Sequence, residues 1–267
     1  MNPDSTTTSA DVKQCCASLY ESDFARLLLG DSFHPGGLKL TERLGQLLGL
    51  GANSRVLDVA AGRGASALFL AERFGCEVIG IDYGSQNIER ANVEARERNL
   101  GERAQFYEAD AESLPFPDAS FSAVLCECAF CTFPDKSKAA REFARVLRSG
   151  GGLGISDLTR KGELPRELEG LLAWIACIAD AQPVEQYTEW FRAAGLKAQT
   201  TESHDEALIE MVRQIQAKLL GLEIMNGLKK IDLSGLDLAS AKQLAQAALS
   251  AVQQGQLGYA IVTAGKQ

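Results

Sequence analysis

Val56-Leu57-Asp58-Val59-Ala60-Ala61-Gly62-Arg63-Gly64-Ala65-Ser66 is the stretch that decides the fold. An apolar strand runs into a Gly-x-Gly turn, and Ala67, Leu68, Phe69 and Leu70 continue as a helix. About twenty residues on, a second apolar run, Glu77-Val78-Ile79-Gly80-Ile81, ends in Asp82, the layout of the first βαβ unit of a nucleotide-type binding fold. Glycine belongs in such a turn because a Cβ would keep the backbone away from a ligand. An acid at the second strand end can accept hydrogen bonds from both hydroxyls of a ribose.

Outward from that unit the alternation continues. A third strand reads at Ala104–Ala109, followed by Asp110-Ala111-Glu112 and a Leu114-Pro115-Phe116 turn. A fourth apolar run, Phe121 to Phe130, precedes a helix over Lys138–Leu147. Ser149-Gly150-Gly151-Gly152 then leads into a strand at Leu153–Asp157. Strands alternating with helices over residues 54–200 predict a Rossmann-like, doubly wound, mostly parallel sheet covered on both faces.

On these motifs, over about residues 50 to 200, the sequence resembles the class I S-adenosylmethionine-dependent methyltransferases. Two positions depart from that pattern: the first turn glycine is Ala60, and the acid often found at the start of strand four is Ser122. The resemblance implies S-adenosylmethionine as cofactor. Asp58, Ala60, Gly62 and Gly64 would cradle its amino-acid tail, with Asp58 near the ammonium. Asp82 would take the ribose hydroxyls, Tyr83 would pack on the adenine, and Asp110 and Ala111 would meet the adenine edge. Glu127 and Cys128, ending strand four, would face the transferred methyl. NAD is the competing occupant, since the third fingerprint glycine falls at Ala67, which that pattern tolerates. The segment around Leu114-Pro115-Phe116 and the Gly-rich loop before strand five fit a methyltransferase better.

The flanks are helical. Residues 1–10 read as a disordered polar tail and residues 11–50 as an N-terminal helical cap, broken between Gly30 and Gly37. The S-adenosylmethionine-binding core then spans 51–204, a helical insertion 205–255, and a last core strand 256–267. In the resembled family the final two strands form an antiparallel pair, so the helical block would lie between them.

Composition excludes several classes. At 267 residues, 46% hydrophobic and 23% charged, the chain is an ordinary globular protein. A net charge of −8, with no local Lys/Arg cluster, argues against a nucleic-acid groove. No apolar run is long enough for a membrane span, and the N-terminus has no signal-peptide character. A cytoplasmic setting would keep the seven cysteines reduced.

Those cysteines raise the question of the acceptor. Cys126, Cys128 and Cys131 cluster at the end of strand four, Cys177 sits on a later helix, and Cys15 and Cys16 lie in the N-terminal helix. Thiolates suit soft centres. Cys128-Ala129-Phe130-Cys131-Thr132-Phe133-Pro134-Asp135-Lys136, with Cys177 ahead of Phe191-Arg192-Ala193-Ala194-Gly195, resembles arsenite methyltransferases. That resemblance implies trivalent arsenic held as metalloid by Cys128 and Cys177, with Cys15 or Cys16 as a third thiol or reductant. Residues 44–55 lack the cysteine such proteins carry before their first strand.

The competing reading makes these thiols small buried hydrophobes, favoured for Cys76 and Cys126. The acceptor would then be a small organic compound (quinone-like, phenolic or polyketide), as the Leu114-Pro115-Phe116-Pro117-Asp118 segment also allows. Zinc lacks a second Cys-x-x-Cys pair to complete a site. A cofactor-binding or metalloid-sensing protein without turnover is the third possibility. His34, in a Gly/Pro-rich loop, is a turn residue or a general base. Tyr20 is a cofactor cap or packing group, and Trp174 and Trp190 are packing groups.

Overall fold

The computed structural model describes residues 13, 34–168, 178, 180–227 and 237–267. Cys15, Cys16, Tyr20, Trp174, Cys177 and the polar tail therefore lie outside the described residues. After helix α1 (Gly37–Leu47) the chain alternates β1 (Arg55–Val59), α2 (Ala65–Phe74), β2 (Glu77–Asp82), α3 (Ser85–Glu97) and β3 (Ala104–Glu108). Next come β4 (Phe121–Glu127), α4 (Lys136–Val146), β5 (Leu147–Arg160), α5 (Val184–Ala193) and β6 (Leu196–Ser203). Helices α6 (Asp205–Gly227) and α7 (Leu238–Gln253) precede β7 (Leu257–Lys266).

The seven strands form one sheet in the order β3-β2-β1-β4-β5-β7-β6. Strands β1 to β5 are parallel, and β7 runs antiparallel between β5 and β6. The Rossmann-like class and the antiparallel final pair read from the sequence are both present. The helical block does fall between β6 and β7.

Both faces of the sheet are buried, which is why β1, β2 and β7 read as nearly unbroken apolar runs. One core packs α1, α2, α3, α6 and α7 through residues such as Leu44, Leu68, Ala91, Leu219 and Ala248. The other packs α4 and α5 through Phe143, Tyr187 and Phe191 around Phe130. Helix α4 starts at Lys136, two residues earlier than the sequence reading, because the Asp135 side chain accepts from the Lys138 amide at 2.8 Å as an N-cap. Strand β5 is longer than read. Leu147 pairs with Phe121 and Gly152 with Ala123, so the Gly-rich segment is a bulge inside the strand instead of a loop before it.

One aromatic ring fixes the turn after β1. A Cβ on Gly64 would stand 2.6 Å from the Phe106 ring, and one on Gly80 would collide with the same ring. Phe106 is held in turn by Asn92 of α3, whose amide donates to the Phe106 carbonyl at 2.9 Å and accepts from its N–H at 3.2 Å. Glycine at 64 and 80 therefore makes room for a ring that ties β2, β3, α3 and the turn together. We expect Gly80→Ala to lower stability by about 2–3 kcal/mol through overpacking, read as a shift in the urea midpoint at unchanged slope.

Candidate functional site: a carboxylate-lined cleft at the strand ends

The C-terminal ends of β1, β2 and β4 open into one cleft, where ligands bind in open α/β sheets. Asp58, Ala60, Gly62, Asp82, Tyr83, Asp110, Ala111, Glu127 and Cys128, all singled out in the sequence, line it. Gly64 does not. It caps α2 at φ 82° and faces Phe106, so its task is to let the turn pack rather than to touch a ligand.

Asp82 is pinned on both oxygens. Its Oδ2 accepts from the Gly62 amide at 2.8 Å and its Oδ1 from the Gly84 amide at 2.8 Å. A carboxylate offers about four acceptor sites, so these bonds orient it without exhausting it. Gly62 adopts φ 54°, and the neighbouring Ala60 sits at φ 59°. The alanine standing in place of glycine thus keeps the turn in the left-handed conformation, at a cost of about 1–2 kcal/mol.

Asp58 is 2% exposed, and its Oδ2 has no hydrogen-bond partner among the described residues. Burial, then the nearby Glu127 and Asp82 carboxylates, push its pKa well above the ordinary value, against a lowering hydrogen bond from the Ala67 amide in the first turn of α2. Lys13 also lines the cleft, where it pairs with Asp110. Its Nζ bonds both Asp110 oxygens, at 3.0 and 2.8 Å, and Glu112 at 2.7 Å. Burial works against the Lys13 cation, yet the bonds to Asp110 and Glu112 raise its pKa.

Glu127 is the centre of a buried polar cluster. Its Oε2 accepts from Ser66 Oγ at 2.7 Å and Thr41 Oγ1 at 3.0 Å, with His34 Nε2 at 3.5 Å. The His34 Nδ1 lies 3.2 Å from the Pro35 carbonyl. Both ring nitrogens of His34 thus face protein oxygens, and the ring lines the cleft beside Glu127.

The cysteines separate. Cys126 is fully buried in the α4/α5 core and its thiol pKa is raised well above normal by burial and then by nearby carboxylates. Cys131 is buried on the opposite core, its amide donating to Asp157 at 2.8 Å. Cys76 is buried too, its Sγ 3.4 Å from the Leu70 carbonyl, and burial pushes its pKa up to about 11. The thiols read at the end of strand four therefore do not share one compartment: Cys126 points from within the strand into the α4/α5 core, whereas Cys128 and Cys131 lie beyond the strand end against the other core. Of the described cysteines, Cys128 is the one that lines the cleft, at φ 52°. Among the described residues no group of three His, Cys, Asp or Glu side chains is placed to hold a metal ion. Trp190 packs against Phe130, as read.

The sequence reading missed Thr41, Ser66, Asn87 and Lys13. Ser66 and Asn87 had a local signal, each being a polar residue in the first turn of a helix that follows a ligand-facing strand. Thr41 and Lys13 had none.

A family model described as a methyltransferase domain matches residues 57–155. The 27-O-demethylrifamycin SV methyltransferase of Amycolatopsis mediterranei is 30% identical over 238 residues, covering 85% of this chain and 83% of its own. The chain belongs to the class I S-adenosylmethionine-dependent methyltransferases. A demethylmenaquinone methyltransferase of Thermus thermophilus is 46% identical over 105 residues, 39% of this chain and 47% of that protein. The crystal structure of the cyclase SpnF has the same fold, with TM-score 0.77 and 24% identity over 97% of both chains. No described helix of this methyltransferase is long and apolar enough to cross a membrane.

Asp58 also gives the methyltransferase a measurable electrostatic signature. Its folded pKa is raised, so above the ordinary carboxylate range the folded chain binds a proton that the unfolded chain has lost. Stability from this group therefore falls as pH rises through that window. Relative to Asp58→Asn, the wild-type protein should lose stability as pH rises above the ordinary carboxylate range, measured by urea denaturation at a series of pH values.

Proposed function

We propose that this methyltransferase transfers a methyl group from S-adenosylmethionine to a small organic acceptor. The observation that carries the cofactor assignment is the unpartnered, buried Asp58 oxygen in a cleft lined by further carboxylates. An ammonium group supplies the donor that this oxygen lacks, and surrounding anions suit a ligand that also carries a sulfonium. S-adenosylmethionine, when bound, supplies an activated methyl for in-line displacement.

The chain's own residues bind and align. Asp58 holds the ammonium. Asp82, oriented by the Gly62 and Gly84 amides, accepts from the ribose. Tyr83 packs on the adenine, and Asp110 and Ala111 border its edge. Glu127 and Cys128 stand beside the reacting methyl. Alignment and exclusion of water are the protein's main contributions to methyl transfer, worth up to roughly 7–11 kcal/mol.

An organic acceptor is favoured over arsenic by two observations. Cys126 and Cys131 lie in separate cores, which leaves Cys128 as the described thiol on the cleft. The relatives named above have a rifamycin and a menaquinone precursor in their names.

A labelled-methyl assay over a panel of arsenite, a quinol and small phenols tests the reading. We expect label in an organic product, Cys128→Ser to change that rate by less than about threefold, and Asp82→Ala to weaken cofactor binding by roughly 10- to 100-fold through a lost charge-assisted hydrogen bond. Label transferred to arsenite alone, and abolished in Cys128→Ser, would reverse the choice of acceptor.

A further inference from the structure

Asn87 is a buried polar residue that neither the sequence motifs nor the carboxylate chemistry uses. It is 1% exposed, lines the cleft, and its Oδ1 has no hydrogen-bond partner among the described residues. A buried acceptor left unmade costs about 1–3 kcal/mol, so an oxygen kept in that state at a ligand cleft calls for a donor from the ligand.

Its position names the donor. Asn87 is in the first turn of α3, five residues after Asp82. One turn later, Ala91 packs against the turn after β1, 3.1 Å from where a Gly64 Cβ would stand. Asn87 therefore sits on the face of α3 that looks at the Gly62–Gly64 turn, nearer the open end of the cleft. Asp82 reaches the same turn from β2 through its bond to the Gly62 amide. The two side chains border one spot from adjacent elements, and the cofactor group assigned to that spot is the ribose.

We propose that Asn87 is a specificity-determining residue of the cofactor site, its Oδ1 accepting from one ribose hydroxyl while Asp82 takes the other. The proposal rests on the S-adenosylmethionine reading. It also divides the labour chemically: the Asp82 anion supplies strength, and the neutral amide recognises a hydroxyl without adding another carboxylate to a cleft that already holds several.

The test is calorimetric binding of S-adenosylhomocysteine and of its 2′-deoxy and 3′-deoxy ribose analogues to wild type, Asn87→Ala and the near-isosteric Asn87→Leu. We expect both variants to bind S-adenosylhomocysteine about tenfold more weakly, about 1.4 kcal/mol. Against one deoxy analogue they should lose nothing beyond what deleting that hydroxyl already costs. Urea midpoints without ligand should equal or exceed wild type, because an unsatisfied oxygen has gone. Equal losses on all three ligands, unchanged binding of S-adenosylhomocysteine, or clearly lowered midpoints in both variants would each overturn the assignment. Wild type failing to bind S-adenosylhomocysteine would remove the cofactor reading itself, and this proposal with it.

Discussion

The seating of the Phe106 ring in the space left by Gly64 and Gly80 is the contact on which the cleft depends. It brings the turn after β1 down onto β2 and α3, and that approach places the Gly62 amide within reach of Asp82. Asn92 fixes the ring's backbone from both sides, so three elements share one alignment. Close packing of this kind transmits small errors: a single added methyl at either glycine would displace the residues that shape the cleft.

Above that packed floor the electrostatics run the other way. Asp58, Asp82 and Glu127 stand close enough to influence one another, and Asp58 is held with an unsatisfied oxygen. Such an arrangement is unfavourable for the protein alone, and a cationic ligand would relieve it. Ala60 adds backbone strain at the same turn. Such local cost gathered at a cleft is the pattern of a site kept ready for a partner.

The acceptor side is built differently. Glu127 is surrounded by Thr41, Ser66 and His34, which come from α1, α2 and the loop ahead of α1. This cluster closes the end of the cleft next to Cys128 with hydrogen-bonded side chains. The neighbouring thiols serve packing, because strand alternation sends Cys126 into one core and the turn beyond it buries Cys131 in the other. Proximity in sequence suggested a cluster of sulfur ligands, and the geometry of a sheet with two covered faces divides it.

The sequence by itself determined the alternation of strands and helices, the Gly-x-Gly turn and the acids at successive strand ends. These depend on short-range periodicity and on residue types that a local conformation demands. Asp58, Asp82 and Asp110 were legible because each directly follows or ends an apolar run. Only the tertiary structure decided that Gly64 packs against a ring, that His34 pairs with Glu127, and that Lys13 binds Asp110 across 97 positions of chain. It also decided which polar atoms remain unsatisfied. A hydrogen-bond partner distant in sequence leaves no periodic trace, and an absent partner leaves less, so both become visible only when the folded surfaces meet.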